Sequence, residues 1–335
     1  YLSDNWNPYR WVSGGIRAES SRLAPDGVYC CYEGIITKKG LLADLIKCSP
    51  TRLETYGDCP FRYFAGTVLN LEGLEEVEDE VSLLDLGTFY HRVLRELFKL
   101  LAKRMGGKVD LRKVKDEELI KALNGVLGNI DFEEYLPGLS TMMREILKIR
   151  VREEVLPHFV LAEAERIREW NERGFYPTYF EKVININIGG IGTKTVADRV
   201  DIGKQGALII DYKLRSSSSR KFSSYKHLQL PLYLSALKSE GFSPYGGYYR
   251  FVEKPDDEKG SERGKKGFEE DIDFAWSRAE MYISLMKQGF FAPVVVDKES
   301  GFEKKETELS KEGSGCGWCD FWDLCRVREG IKRRL

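Results

Sequence analysis

The chain has 335 residues, of which 42% are hydrophobic and 31% charged, a size that suits one large domain or two ordinary ones. No run of about 18 apolar residues and no signal-peptide pattern occurs, which argues against a membrane span and favours a cytoplasmic protein without a membrane partner. The net charge of −1 indicates no particular partner. Because the first residue is Tyr1 and not Met, we expect a fragment or a processed product of a longer protein.

Helical patterns dominate the first half of the chain. Residues 1–47 mix turns with short apolar stretches, so we expect an irregular lead-in before a main domain at residues 48–335. A helix is predicted to begin at Ser49, which precedes a proline, and a strongly amphipathic helix follows from Leu86. Residues 108–173 are also helical in pattern but carry no evident chemistry, and we interpret them as a helical insert.

The period of the apolar residues changes in the second half. A tight turn is expected at 203–206, between two strands, and the polar, glycine-rich residues 255–267 are expected to form a mobile loop. The predicted strands are 179–189, 193–203, 207–215 and 245–254, and the predicted helices are 227–241 and 271–289.

An acidic and lysine-bearing constellation lies on the second and third strands. Asp211 and Lys213 are two residues apart on a strand, so both side chains project to the same face. If the chain turns at 203–206, Asp198 lies on the adjoining strand with its carboxylate close to that of Asp211. Two acids and a lysine on one patch need a partner, and a hard divalent cation such as Mg²⁺ suits carboxylate oxygens. The spacing alone is a weak pattern, since such a pair is commonly a surface salt bridge.

Four stretches in a fixed order resemble a known family. GTFYHRVL, ADRVD, IIDYK and QLPLY are similar in sequence and order to the motifs of the RecB-type branch of the PD-(D/E)xK nucleases. The resemblance covers about residues 48–330 apart from the insert. It implies an α/β fold with a restriction-endonuclease-like core, in which helices flank a mixed central sheet.

The resemblance also implies roles for individual residues. The sequence departs from the family pattern at Ala197, before the first Asp, and at Arg95, where many relatives carry an acid. Neither change removes a ligand. The implied ligands of Mg²⁺ or Mn²⁺ are His91, Asp198, Asp211 and the carbonyl of Tyr212, the implied catalytic lysine is Lys213, and Gln229 and Tyr233 would position that lysine and the DNA.

The seven cysteines point to a metal or cluster site, since an odd count without a secretory signal argues against a disulfide framework. Three of them form a C-x₂-C-x₅-C triplet within the segment 312–330, which suits an iron–sulfur cluster, with zinc left open. A resemblance to AddB-like helicase–nuclease subunits implies a structural 4Fe–4S cluster shielded by Trp318, Phe321 and Trp322. Its implied ligands are Cys59, Cys316, Cys319 and Cys325, whereas Cys30, Cys31 and Cys48 are interpreted as buried thiols.

A basic segment follows the strand of Asp211. Its Arg215, Arg220 and Lys221 are candidates for contacts with DNA phosphates, whereas Phe222 and Tyr225 could either stack on bases or pack in the core.

Two classes of function fit the sequence. The first is a metal-dependent deoxyribonuclease, an exonuclease or single-strand nuclease acting on single strands or duplex ends in a machine that repairs double-strand breaks. The alternative is a nuclease-fold module that binds DNA and serves as a scaffold. No P-loop motif occurs, so the motor would be a helicase subunit or a covalently linked helicase-like region.

Overall fold

Along the chain, helices precede and follow the strands of a central sheet. The computed structural model describes residues 16, 34–37, 45–72, 82–136, 139–216, 220–224, 227–293 and 319–325. Short π-helical turns, Phe64–Val68 and Val151–Val155, follow α2 and α6. The described helices are α1 (Pro50–Asp58), α2 (Pro60–Tyr63), α3 (Leu83–Arg104), α4 (Asp116–Leu127), α5 (Phe132–Tyr135), α6 (Thr141–Arg150), α7 (Leu156–Glu172), α8 (Gln229–Ser239), α9 (Phe268–Lys287) and α10 (Trp322–Cys325).

A five-stranded sheet has the order β1-β2-β3-β4-β5. Strands β2 and β3 pair antiparallel, β3 and β4 pair parallel, and β4 and β5 pair antiparallel. The sheet is therefore mixed, as the family resemblance implies. Its strands are β1 (Phe175–Ile188), β2 (Ile191–Gly203), β3 (Gly206–Lys213), β4 (Pro244–Phe251) and β5 (Glu258–Glu262).

Helices cover both faces of β4. Gly247 and Tyr248 are consecutive, so they face opposite sides of the sheet. On one side, the absent side chain of Gly247 lets Leu230 and Leu234 of α8 approach the strand. On the other side, Trp170 of α7 packs its ring 5.9 Å from that of Tyr248. This confirms the prediction of a mixed sheet flanked by helices.

The helices of the predicted insert share one apolar core with the sheet. Asn171, near the end of α7, is fully buried, and its amide group makes three hydrogen bonds to the backbone of Val109, Leu111 and Phe175. These bonds tie the start of the segment to the first strand, so α7 is an integral layer of the fold.

The prediction of a mobile loop at 255–267 is wrong in its centre. Residues Glu258–Glu262 form β5, whose backbone pairs with Gly246 to Arg250 of β4. Side chains reinforce this edge strand, since Glu258 accepts two hydrogen bonds from Arg166 and Glu262 accepts one from Tyr248. Backbone pairing and these polar contacts replace the apolar alternation that would identify a strand in the sequence.

The described residues divide into two compact units. The larger comprises Glu76–Ile186 and Gly192–Trp276, and contains most of the sheet and the acidic constellation. The smaller combines described parts of Tyr1–Glu75 with Asn187–Ile191 and Ser277–Leu335, and contains the described cysteines. Among the described residues, no helix is long and apolar enough to cross a bilayer.

Candidate active site

The helix α3 carries His91 to the sheet. Ser82 caps its first turn by accepting a hydrogen bond from the Asp85 amide, and its apolar stripe, which includes Tyr90, is buried. His91 lies beside that stripe with its side chain 32% exposed, and its Nδ1 is 3.2 Å from Oδ1 of Asp198. Burial lowers the pKa of His91, but the hydrogen bond and charge of Asp198 and the charge of Asp211 raise the pKa by more. These carboxylates therefore stabilise the imidazolium form relative to that of an exposed histidine.

The hairpin of β2 and β3 brings the two aspartates together. Gly203 pairs with Gly206 at the turn, as predicted, and the register runs to Arg199 opposite Ile210. Continued by one residue, the same register sets Asp198 opposite Asp211. The Oδ2 of Asp198 accepts a hydrogen bond of 2.8 Å from the backbone amide of Tyr212, which fixes its carboxylate at the end of β3.

Asp211 is the most deeply buried acid of this patch, at 2% exposure. Its Oδ2 lies 2.6 Å from Nζ of Lys213, an ion-pair distance, yet this oxygen receives no hydrogen bond of suitable direction. Burial raises the pKa of Asp211; the charge of Lys213 lowers it in part and that of Asp198 raises it further. Burial is therefore the main factor that disfavours the ionised form of Asp211.

The helix α8 holds the lysine from the other side. The Nζ of Lys213 donates to Oε1 of Gln229 at 3.1 Å. The amide nitrogen of Gln229 in turn donates to the hydroxyl of Tyr233 at 3.0 Å, and that hydroxyl also accepts from Thr195. This series of hydrogen bonds, which links Thr195 to Lys213, leaves the ammonium group little freedom to rotate away from Asp211.

The side-chain donors of this patch, two carboxylates and one imidazole, suit a divalent cation. The buried Oδ2 of Asp211, which lacks a directed hydrogen bond, is an oxygen that a cation could satisfy. Across the described residues, no three His, Cys, Asp or Glu side chains are already arranged around one point as metal ligands. Instead, Lys213 and His91 pair with the carboxylates.

A cluster of buried charged side chains, which the sequence did not predict, contacts Tyr212 of β3. Arg199 is fully buried and donates to Asp201, to Glu163 and to the hydroxyl of Tyr212. Glu163, on α7, is also fully buried and accepts from Arg250 on β4 at 2.6 Å. The sequence does carry a signal for Glu163, because this acid falls on the helix face of Phe159 and other buried apolar residues.

The pKa values of the two buried acids in this cluster move in opposite directions. Burial raises the pKa of Glu163, but the charges of Arg250 and Arg199 lower it by more. Burial raises the pKa of Asp201 to about 6, against the smaller opposing effect of Arg199. Glu163 is therefore held as a carboxylate, whereas Asp201 takes up a proton more readily than an exposed aspartate.

A narrow cleft opens beside His91 and Asp198. It has room for about one water molecule. Arg95, one helical turn after His91, crosses it to pair with Glu181 of β1. Glu181 has a φ of 54°, a left-handed conformation that is uncommon for a residue other than glycine. Arg95 thus pairs with an acid contributed by a strand.

The basic segment after β3 divides into residues with different roles. Arg215 is paired with Glu253 at 3.1 Å, and Phe222 is buried and stacked on Phe268 at 5.7 Å between ring centroids. Of the two interpretations of Phe222, the structure therefore favours packing. Lys221 is exposed, and Tyr225 lies outside the described residues.

The cysteine positions belong to the smaller unit. Cys59 lies at the junction of α1 and α2, and Cys319 and Cys325 flank Phe321, whose ring reaches Gly66 just after α2. No disulfide joins the described cysteines, each of Cys59, Cys319 and Cys325 is half-buried, and Cys48 is buried as expected. The packing of Phe321 brings the terminal segment to the region that follows Cys59. The predicted residues Cys30, Cys31, Cys316 and Trp318, together with the side chain of Trp322, lie outside the described set.

Comparisons with known proteins agree with the fold. A family model of the PD-(D/E)XK nuclease superfamily matches residues 47–326. The match spans the hairpin of Asp198 and Asp211 and both helices that reach it, so the chain belongs to the PD-(D/E)XK nuclease superfamily.

Several curated relatives are each named as a subunit of an ATP-dependent helicase/deoxyribonuclease. The protein from Thermoanaerobacter sp. (strain X514) is 29% identical over 251 residues, which are 65% of this chain and 20% of that protein. The protein from Clostridium botulinum (strain Okra / Type B1) is 30% identical, over 62% of this chain and 19% of its own length. The protein from Moorella thermoacetica (strain ATCC 39073 / JCM 9320) is 26% identical, over 72% of this chain and 22% of its own length.

The chain therefore spans about a fifth of the length of these relatives. Among solved structures, the crystal structure of SSO0001 aligns with 55% of this chain and 77% of its own, with 18% identity and a TM-score of 0.25.

Proposed function

We propose that the chain is a metal-dependent deoxyribonuclease that hydrolyses phosphodiester bonds at the patch of Asp198, Asp211 and Lys213. The observation that carries the proposal is the antiparallel hairpin, which sets Asp198 against the strand end of Asp211 and Lys213. An idle surface ion pair would not require a carboxylate as deeply buried as that of Asp211.

The residues that would hold Mg²⁺ or Mn²⁺ are His91, Asp198, Asp211 and, through its carbonyl, Tyr212. Such an ion would supply Lewis acidity for the phosphodiester and lower the pKa of the attacking water. These ligands bind a metal only when deprotonated, so metal affinity at this site should fall as the pH is lowered.

Lys213 has a role of its own in this proposal. Its ammonium group, held by Asp211 and Gln229, orients the attacking water or neutralises a non-bridging oxygen of the phosphate. Tyr233 acts through Gln229 and is a positioning residue. These side chains are preorganised by hydrogen bonds, which is the property that makes electrostatic stabilisation effective.

The substrate and setting follow from the relatives' name. A deoxyribonuclease subunit of an ATP-dependent helicase suggests DNA as the substrate, as single strands or duplex ends, and a helicase subunit or linked helicase-like region as the partner. We propose exonuclease or single-strand cleavage during the repair of double-strand breaks in the cytoplasm.

Cleavage of labelled single-stranded DNA tests the proposal. Wild-type protein with Mg²⁺ or Mn²⁺ should degrade the strand, and Asp211→Asn should lower the rate by about 10²-fold or more, since it removes a ligand charge. Asp273→Asn, at an exposed position on α9, is the matched control and should retain the wild-type rate. Equal cleavage by wild type and Asp211→Asn would contradict catalysis here and support the alternative, a DNA-binding scaffold.

We further propose that Cys59, Cys316, Cys319 and Cys325 hold a structural 4Fe–4S cluster. Thiolates suit iron–sulfur clusters, and the contact between Phe321 and Gly66 supports an approach of the terminal segment to α2. Anaerobically purified protein should be brown and contain iron and sulfide. Cys59→Ser should lose both, whereas Cys48→Ser, a change at a buried thiol outside the set, should keep them. Zinc in colourless wild-type protein would contradict the cluster.

A further inference from the structure

Arg220 occupies a defined position next to the lysine of the site. Its guanidinium carbon lies 4.9 Å from the ring centroid of Tyr249, and Nζ of Lys213 lies 5.8 Å from the same centroid. Tyr249 is fully buried on β4, directly opposite Asp211 in the parallel register, so the ring cannot swing away. One immobile aromatic ring therefore positions two cations, of which Arg220 comes from the segment that follows β3.

The charge of Arg220 is not neutralised within the described part of the chain. Lys213 is paired with Asp211 and Arg215 with Glu253, whereas no carboxylate of the described residues forms an ion pair with Arg220. Arg220 is also half-buried, which limits the water available to its guanidinium. A half-buried arginine that no acid neutralises is available to bind an anion.

The anion that reaches this position in the proposed reaction is the DNA backbone. A DNA strand in B-form carries one phosphate per about 3.4 Å of its axis. A strand with one phosphate at Lys213 therefore brings neighbouring phosphates toward Arg220, which lies over the same tyrosine ring as that lysine. The guanidinium fork matches two oxygens of a phosphate, which a lysine cannot reproduce.

We propose that Arg220, seated on Tyr249, binds a backbone phosphate of the DNA strand next to the phosphate that is cleaved. This inference rests on the proposed nuclease function and adds a substrate-binding residue to it. Arg220 holds the strand in register with Lys213 through the sequence-independent backbone, so it contributes to affinity for any single strand. Because it contacts a phosphate other than the reacting one, its contribution is equal in the ground state and the transition state.

The salt dependence of binding tests this contact independently of cleavage. Anisotropy of a labelled single strand is measured over a range of salt concentrations, in Ca²⁺ and without divalent metal. For single strands each phosphate contact contributes about 0.7 to the slope of log K against log salt. Arg220→Ala should lower the slope by about 0.7 and weaken binding about tenfold at low salt, whereas Arg220→Lys should keep most of the slope. Arg104→Ala, which removes an exposed charge at the end of α3, should leave the slope unchanged.

Kinetics give the second readout. In Mg²⁺, Arg220→Ala should raise KM for the strand about tenfold with kcat within about twofold of wild type, as expected for lost uniform binding. An unchanged slope in Arg220→Ala, or an equal fall in Arg104→Ala, overturns the inference while leaving the nuclease function intact. Conversely, if wild-type protein never cleaves DNA but Arg220→Ala still lowers the slope, the nuclease function is overturned and the phosphate contact of Arg220 stands. Thermal unfolding of each variant checks that it is folded.

Discussion

The buried charges behind the site make a quantitative prediction for Glu163→Gln. Glu163 pairs at 2.7 Å with Arg199 and at 2.6 Å with Arg250, and both glutamate oxygens are sealed from solvent. The substitution keeps the shape but removes the negative charge shared by the two arginines. Removing one partner of a buried ion pair costs about 3–5 kcal/mol, a large part of a typical domain stability of about 5–15 kcal/mol.

Urea denaturation at pH 7 should therefore show a free energy of unfolding that is lower by about 3–5 kcal/mol in Glu163→Gln. The matched control is Glu165→Gln, at an exposed position on the same helix, which should stay within about 0.5 kcal/mol of wild type. Equal stability of both variants would show that the buried ion pairs of Glu163 contribute nothing to the free energy of unfolding.

The pH dependence of the free energy of unfolding gives a second prediction for Glu163→Gln. The pKa of Glu163 is lowered in the folded state from its ordinary value of 4.5, so its contribution to stability is present above pH 4.5 and is lost as the pH falls through the folded-state pKa. The difference between wild type and Glu163→Gln should narrow below pH 4.5. A difference that widens at low pH would contradict the assignment of Glu163 as a buried carboxylate.

Three further variants test other parts of the structure. Lys213→Met should lower cleavage about 10²–10³-fold and move the acid limb of any residual activity to higher pH, because Lys213 lowers the pKa of Asp211. In wild type, the contribution of Asp201 to the free energy of unfolding should fall as the pH rises from about 4 to about 6, because its folded pKa, about 6, exceeds its ordinary value of 3.8. This pH-dependent contribution should be absent in Asp201→Asn. Gly206→Ala should lower the free energy of unfolding in urea by about 2 kcal/mol, because at a φ of 144° the added Cβ would collide with the backbone oxygen of Ser243. Gly192→Ala is the control, since a Cβ there meets open space.

The sequence predicts those parts of the fold in which the residue types and the hydrophobic period indicate the same structure. The turn at 203–206 and the shared face of Asp211 and Lys213 follow from strand geometry, and the amphipathic helix of His91 follows from its apolar stripe. The flanking helices and the mixed sheet follow only from the family resemblance. No periodicity in the sequence distinguishes the parallel pairing of β3 and β4 from an antiparallel one.

The parts that sequence reasoning missed depend on partners distant in the chain. Glu258–Glu262 forms a strand because β4 offers an edge and Arg166 offers charge, neither of which is encoded in those five residues. Glu163 is buried because Arg199 and Arg250 converge on it from two strands. The position of Arg220 is likewise invisible in its own segment, since the ring that holds it belongs to β4.

Binding of Mn²⁺, followed by electron paramagnetic resonance, tests for a metal centre at Asp198 and Asp211. We expect wild-type protein to bind Mn²⁺ at neutral pH, and Asp211→Asn to weaken this binding by more than about tenfold while Asp273→Asn does not. Mn²⁺ bound equally well by wild type and Asp211→Asn would contradict a metal centre on the Asp198–Asp211 hairpin.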